Sequence, residues 1–184
     1  MNSEVISSRY AKALLAYVEE TGSGNKVYSQ VLSVTQAMQQ VPELMGVIHK
    51  RDDVALVKKA ELLSIALGEP LSDELLRFLE LVSSHGRMDM FHLMLMSYIV
   101  RYRQTNNIKV GTLVTASPDE GLRERLETMF SDRTACDVHF TTGVDPELIG
   151  GFVFELDGYR LDASVRTRLE KIRQCLVDEN SRIV

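Results

Sequence analysis

Tryptophan is absent from this chain, cysteine occurs twice and proline four times. Two thiols as far apart as Cys136 and Cys175 build neither a disulfide framework nor a zinc site, which needs more thiols or a tighter cluster with histidines. They read as small apolar residues in a reducing compartment. Basic charge is also short: 21 Lys and Arg stand against 26 Asp and Glu, for a formal net charge of -5 and a pI near 5.4. Polyanion binding gains affinity from counterions displaced by Lys and Arg, so nucleic acid is not expected as a partner. Up to residue 106 there are 11 bases and 12 acids, and beyond it 10 and 14, so neither half is a basic recognition module. A bilayer-spanning run of about 20 apolar residues is missing too. The most apolar stretch, Met88 to Tyr102, is interrupted by Asp89, His92, Ser97 and Arg101. The opening Met-Asn-Ser-Glu has neither the basic nor the apolar region of a secretory signal. A soluble protein without direct membrane insertion is expected.

What is present is ordinary globular composition, 45% hydrophobic and 26% charged over 184 residues, enough for one large or two small domains. Residues 1–105 read as six short helices, an all-α six-helix bundle. The first runs from about Ser3 to Glu20 and stops at Thr21-Gly22-Ser23-Gly24. The second, about Asn25 to Gln40, carries Val27, Val31, Val34 and Met38 at helical spacing. Pro42 suits the first turn of a third. Asp52 or Asp53 can cap a fourth, which ends at Gly68. Ser72 can cap a fifth bearing Leu75, Phe78, Leu79 and Val82. The sixth, Met88 to Arg103, is apolar nearly all round and should be central.

At Asn106-Asn107 the character changes, and residues 108–184 read as a small α+β domain. Ile108 to Thr115 is a strand. Ser117, Pro118 and Glu120 have the spacing of a capping box that opens a helix with Leu122, Leu126, Met129 and Phe130 on one face. Cys136, Val138 and Phe140 alternate with polar residues as a half-buried strand. Gly151 to Leu156 is a third strand, and the Asp157-Gly158 turn leads to a fourth, Tyr159 to Leu161. A final helix carries Val165, Leu169, Ile172 and Leu176.

Signals of catalysis are missing. His49, His85, His92 and His139 fall in four different elements, none at metal-ligand spacing from another His or Cys. Gly150-Gly151 has no phosphate-loop pattern around it, and no nucleophile elbow occurs. No catalytic residue, cofactor or metal is expected.

The chain has surplus apolar surface instead. Ile6, Tyr10, Ala11, Ala13, Leu14, Leu15, Tyr17 and Val18 cover an arc of roughly 200° on helix one, where about 100° serves an ordinary core contact. On helix five, Leu76 and Leu81 flank the core stripe on opposite sides. Two such edges can form a groove for a partner helix, or six packed helices can bury them against each other. Periodicity permits both.

Several stretches together resemble one family. They are Arg9-Tyr10-Ala11-Lys12-Ala13-Leu14, Phe78-Leu79-Glu80-Leu81-Val82 with Gly86-Arg87, and Val114-Thr115-Ala116. The most specific is Asp145-Pro146-Glu147-Leu148-Ile149-Gly150-Gly151-Phe152-Val153, followed by Asp162-Ala163-Ser164-Val165-Arg166 and Arg168-Leu169. Spread in order over nearly the whole chain, they are similar to the F-type ATP synthase delta subunits, whose mitochondrial counterpart is the oligomycin-sensitivity-conferring protein. Ala163 departs from the family's usual glycine. The signature residues have structural roles: Gly150 and Gly151 for close backbone approach, Asp162 and Ser164 as caps of the last helix, and Arg166 as a partner for Glu170.

The resemblance implies a non-catalytic stator subunit. It implies that the bundle binds N-terminal segments of alpha subunits in the catalytic head, and that residues 108–184 contact the b subunits of the peripheral stalk. By motif position it points to Tyr10, Ala13 and Leu81 as alpha contacts, with Leu14, Tyr17 and Leu76 beside them. It places the protein on the cytoplasmic face of the cell membrane as a peripheral part of the complex. A generic helical adaptor of another assembly is the competing reading.

Overall fold

A computed structural model describes residues 3–49 and 55–181. The chain forms two units, one ending at Asn106 and the other beginning at Asn107.

The first unit holds α1 (Ser3–Thr21), α2 (Gly24–Gln40), α3 (Pro42–His49), α4 (Leu56–Leu67), α5 (Asp73–Ser84) and, after a 3-10 turn at Met88–Met90, α6 (Phe91–Thr105). Helix α1 lies along α6, and α2 packs against both α4 and α6. The residues that close this core recur at helical spacing. Ala11, Leu14 and Val18 of α1, Val27, Val31, Val34 and Met38 of α2, and Leu75, Phe78, Leu79 and Val82 of α5 are all buried. From α6 come Phe91, Met94, Leu95, Tyr98, Ile99 and Tyr102. Each large side chain so buried contributes about 1.5–3 kcal/mol. Gln30, buried in α2, ties down the α4–α5 connection. Its Nε2 donates to Glu69 Oε1 (2.8 Å) and the Pro70 carbonyl (3.0 Å), and its Oε1 accepts from the Ser72 amide (2.9 Å).

Three sequence expectations for this unit need correction or restriction. Ser72 occupies the cap position of α5 but makes no side-chain cap bond; its hydroxyl is buried while its amide is held by Gln30. Helix α6 is not buried all round: Leu93, Met96 and Val100 are exposed, so its apolar surface is two stripes and only one faces the core. The capping role given to Asp52 or Asp53 lies outside the described residues. Gly68, in the left-handed region at φ 73°, does end α4.

The second unit holds β1 (Ile108–Thr115), α7 (Glu120–Thr134), β2 (Asp137–Val144), β3 (Phe152–Leu156), β4 (Tyr159–Asp162) and α8 (Val165–Ser181), with a 3-10 turn at Pro146–Leu148. The sheet order is β2-β1-β3-β4. Strands β1 and β2 are parallel, joined through α7, and the β1–β3 and β3–β4 pairs are antiparallel. One face of the sheet packs on α7, where Leu113, Leu126, Val138 and Phe140 form a core joined by Leu122, Phe130, Phe152, Phe154 and Leu156. Phe130, Phe140 and Phe154 meet edge to face, with ring centroids 5.1–6.0 Å apart. Asp157 and Gly158, both with positive φ (55° and 81°), make the tight turn between β3 and β4.

The expected cap at Ser117 is replaced by Asp119, whose Oδ1 accepts from the Leu122 amide at 2.9 Å, and α7 starts at Glu120. A carboxylate at this position also answers the helix dipole, which a hydroxyl does not. Likewise Arg166 turns away from Glu170 and reaches Glu147 (3.3 Å), an exposed pair of little energetic weight.

Candidate docking site

The surplus apolar edges of α1 and α5 meet. Ala13, Leu14 and Tyr17 from α1 and Glu74, Arg77, Phe78 and Leu81 from α5 line an open trough of about 260 Å³. Leu14 and Phe78 are buried at its floor, Ala13 is exposed, and Leu81 keeps 42% of its surface exposed. Alanine at position 13 leaves the α1 side low, so another backbone can come close. Polar groups of both helices take part in its lining. Arg77 Nη1 donates to the Tyr17 hydroxyl at 2.6 Å. The Glu74 carboxyl is held below the usual carboxylate range by its own backbone amide, then by the Ser23 hydroxyl, so it is charged at neutral pH. The trough is therefore apolar along its length with one acid and one base at its margin, which suits the face of an amphipathic helix.

Two of the expected contacts are not brought to it. Tyr10 is 8% exposed and lies outside the trough, its ring edge-on to Phe78 (6.4 Å) and His85 (6.3 Å). Its hydroxyl accepts from Arg87 Nη1 (2.9 Å), and the same guanidinium stacks over the ring. Leu76 is half-buried and likewise not among the lining residues. Helical phase put Tyr10 within the wide apolar arc of α1 and Leu76 on a flank of the α5 stripe, but phase alone does not say which part of an apolar surface a neighbour covers. Glu74, Arg77 and Phe78 were missed as lining residues, although all three sit within one turn of positions already singled out.

Two further apolar surfaces stand open. Between α1 and α6, Ser7, Ser8, Leu93, Met96, Val100 and Arg101 border a cleft of about 380 Å³. Along α8, Val165, Leu169, Ile172 and Leu176 form one stripe and are 38–61% exposed. An exposed apolar stripe of this kind is a candidate interaction surface.

The signature segment does structural work. Gly151 has φ 76°, and a Cβ there would stand 2.3 Å from the Ala163 carbonyl oxygen. A Cβ at Gly150 would meet a Val165 methyl at 3.0 Å. Asp162 Oδ1 accepts from the Ser164 amide (2.9 Å) and its Oδ2 from the Thr167 hydroxyl (2.9 Å), while Ser164 Oγ accepts from the Thr167 amide (3.2 Å). Bonds from the Ser164 side chain and amide, and then from Thr167, hold the Asp162 carboxyl down at about 2. Together these residues lock the start of α8 onto the loop before β3.

Among the described residues no group of three or more His, Cys, Asp or Glu could hold a metal ion, and no helix is long and apolar enough to cross a membrane. Cys136 and Cys175 are free thiols, the first half-buried and the second exposed.

Comparison with known proteins settles the kinship. Residues 6–176 match the family model described as ATP synthase delta (OSCP) subunit. The chain belongs to that family. It is 39% identical to the ATP synthase subunit delta of Phocaeicola vulgatus, over 98% of each chain. With that of Bacteroides fragilis it shares 35% identity over the full length of both. A chain in the solved Toxoplasma gondii mitochondrial ATP synthase hexamer has the same fold, with a TM-score of 0.62 at 20% identity, covering 93% of this chain and 97% of that one. As a member of the family, the protein is a structural, non-catalytic stator component of an F-type ATP synthase, peripheral to the membrane. An adaptor role in another assembly is not favoured.

Proposed function

We propose that the two units grip different partners and so join the catalytic head to the peripheral stalk. The six helices of the first unit act as one bundle seated on the head. Its α1–α5 trough receives the amphipathic N-terminal segments of the alpha subunits. The single observation that carries this reading is the open apolar trough between α1 and α5, where the family's motif positions Ala13 and Leu81 face each other. An entering helix lays its apolar face on Leu14, Phe78 and Leu81, comes close at Ala13 and Tyr17, and has its charged edge met by Glu74 and Arg77. Tyr10 serves this surface indirectly, by bracing Phe78 from behind.

The second unit meets the b subunits through the exposed stripe on α8. Leu169, Ile172 and Leu176 supply the apolar contact, and the capped start of α8, held by Gly150, Gly151, Asp162 and Ser164, keeps that helix in place. Both partners lie at the cytoplasmic face of the cell membrane, and the protein itself does not enter the bilayer. Two attachments on one chain give slow release under torque, because either contact re-forms at high effective concentration while the other holds. The head is thereby kept from turning with the rotor, and ion flow stays coupled to ATP synthesis.

Co-purification with an alpha N-terminal peptide tests the first contact. The intact chain retains the peptide and the Ala13→Glu chain loses it. Equal retention by both, with Ala13→Glu folded, would rule the trough out.

A further inference from the structure

Strand β2 is one edge of the sheet, and it has few of the features that usually keep an edge from pairing with another chain. All eight of its residues run in unbroken register with β1, without a bulge. Its sequence, Asp-Val-His-Phe-Thr-Thr-Gly-Val, contains no proline and no lysine. At about 3.3 Å per residue it offers roughly 26 Å of backbone. The amides of Asp137 and Asp145 donate to β1-side carbonyls (Asn107, 3.0 Å; Thr115, 2.9 Å), so those of Val138, Phe140, Thr142 and Val144 point away from β1 by alternation. The first two are already occupied. Ser131 Oγ accepts from the Val138 amide at 3.2 Å, and Glu127 Oε1 accepts from the Phe140 amide at 2.8 Å. Both acceptors stand one turn apart on α7, reaching over the rim of the sheet from the helix that covers its inner face.

We infer that Glu127 and Ser131 are an edge guard: they hold the outward amides of β2 so that this strand cannot pair with β2 of a second copy of the chain. A second copy is the occupant the edge fits, because two identical edges related by a two-fold axis satisfy each other's groups reciprocally. The carboxylate of Glu127 over the rim also sets like charge against like when two copies approach. The guard covers the Val138 half and leaves Thr142 and Val144 bare, too short a stretch to pair alone. It is independent of the head and stalk contacts.

The test is the oligomeric state of the full chain by sedimentation at rising concentration. The native chain stays monomeric. The Glu127→Ala, Ser131→Ala double variant self-associates, and adding Thr142→Pro returns it to monomer, because that amide is not part of the β1 ladder. A folded double variant that remains monomeric throughout overturns the inference, as does association that Thr142→Pro leaves untouched. Should the double variant fail to fold, Glu127→Ala alone decides by hydrogen exchange. The Phe140 amide then exchanges at least tenfold faster in dilute solution and regains protection as concentration rises. Exchange unchanged from the native chain, or faster exchange with no recovery on concentration, overturns the inference equally.

Discussion

Replacing Leu81 with aspartate separates docking from folding. Leu81 is 42% exposed in the free chain and sits at the margin of the trough. Complete burial of a leucine side chain is worth about 1.5–3 kcal/mol, so covering the exposed part under a partner helix contributes roughly 1 kcal/mol. Aspartate forfeits that contribution and places a second carboxylate near Glu74 beneath an incoming helix. A polar group left unsatisfied at a desolvated contact costs about 1–3 kcal/mol, and a charge more. Arg77, one turn earlier, already donates to the Tyr17 hydroxyl and relieves little of this. The sum, roughly 3 kcal/mol, is a loss of more than about 100-fold in affinity at 1.4 kcal/mol per decade. Fluorescence anisotropy with a labelled alpha N-terminal peptide measures it. Urea unfolding of the same variant should move by less than about 0.5 kcal/mol, the range of surface substitutions. A Kd within threefold of the native value, with folding unchanged, would show that Leu81 takes no part in docking.

Four other substitutions probe the rest of the molecule. Ile172→Asp on α8 should weaken binding of a soluble b fragment at least tenfold in a pull-down titration, leaving thermal unfolding unmoved because Ile172 is 51% exposed. Gly151→Ala should destabilise the second unit by about 2 kcal/mol or more in urea, since positive φ is compounded by the 2.3 Å approach to Ala163, whereas Gly158→Ala, with φ 81° and open space around it, should cost about 1 kcal/mol. Burial, and then the nearby His49, lower the pKa of His92, so the folded state resists its protonation. A depressed folded-state value means the unfolded chain binds the proton more readily. Stability from this group is complete above the ordinary value near 6.5 and is lost as pH falls below it. His92→Gln should flatten that decline between pH 7 and 5 in denaturant titrations.

Much of this was legible from residue order, for identifiable reasons. The strand Ile108–Thr115 is β-branched and bounded by turn residues, and its ends coincide with β1. The helix ending at Gly68 was readable because a left-handed residue is the usual stop. The surplus edges on α1 and α5 were legible as phase, and the structure brings Ala13, Leu14, Tyr17 and Leu81 together along one trough. Other features depend on tertiary neighbours. Tyr10 carries the same phase as the lining residues but is turned inward onto Phe78 and Arg87, contacts made across dozens of residues of chain. Ser72 has cap chemistry, yet a glutamine 42 positions earlier takes its amide. The exposed stripe of α6 was hidden by its own composition: a helix apolar on two sides has the pattern of one buried on all sides. Asp119 displaced Ser117 as the cap of α7 because two acceptors competed within three residues, and geometry chose between them.

The claim that this chain is the mechanical link between head and stalk is tested most directly in inverted membrane vesicles carrying the whole synthase. ATP hydrolysis and ATP-driven ion uptake are measured on the same vesicles, with the native chain or the Ala13→Glu, Leu81→Asp variant. Vesicles with the variant should hydrolyse ATP at a rate similar to native while ion uptake falls to a small fraction. Full ion uptake by vesicles that contain only the variant would contradict it.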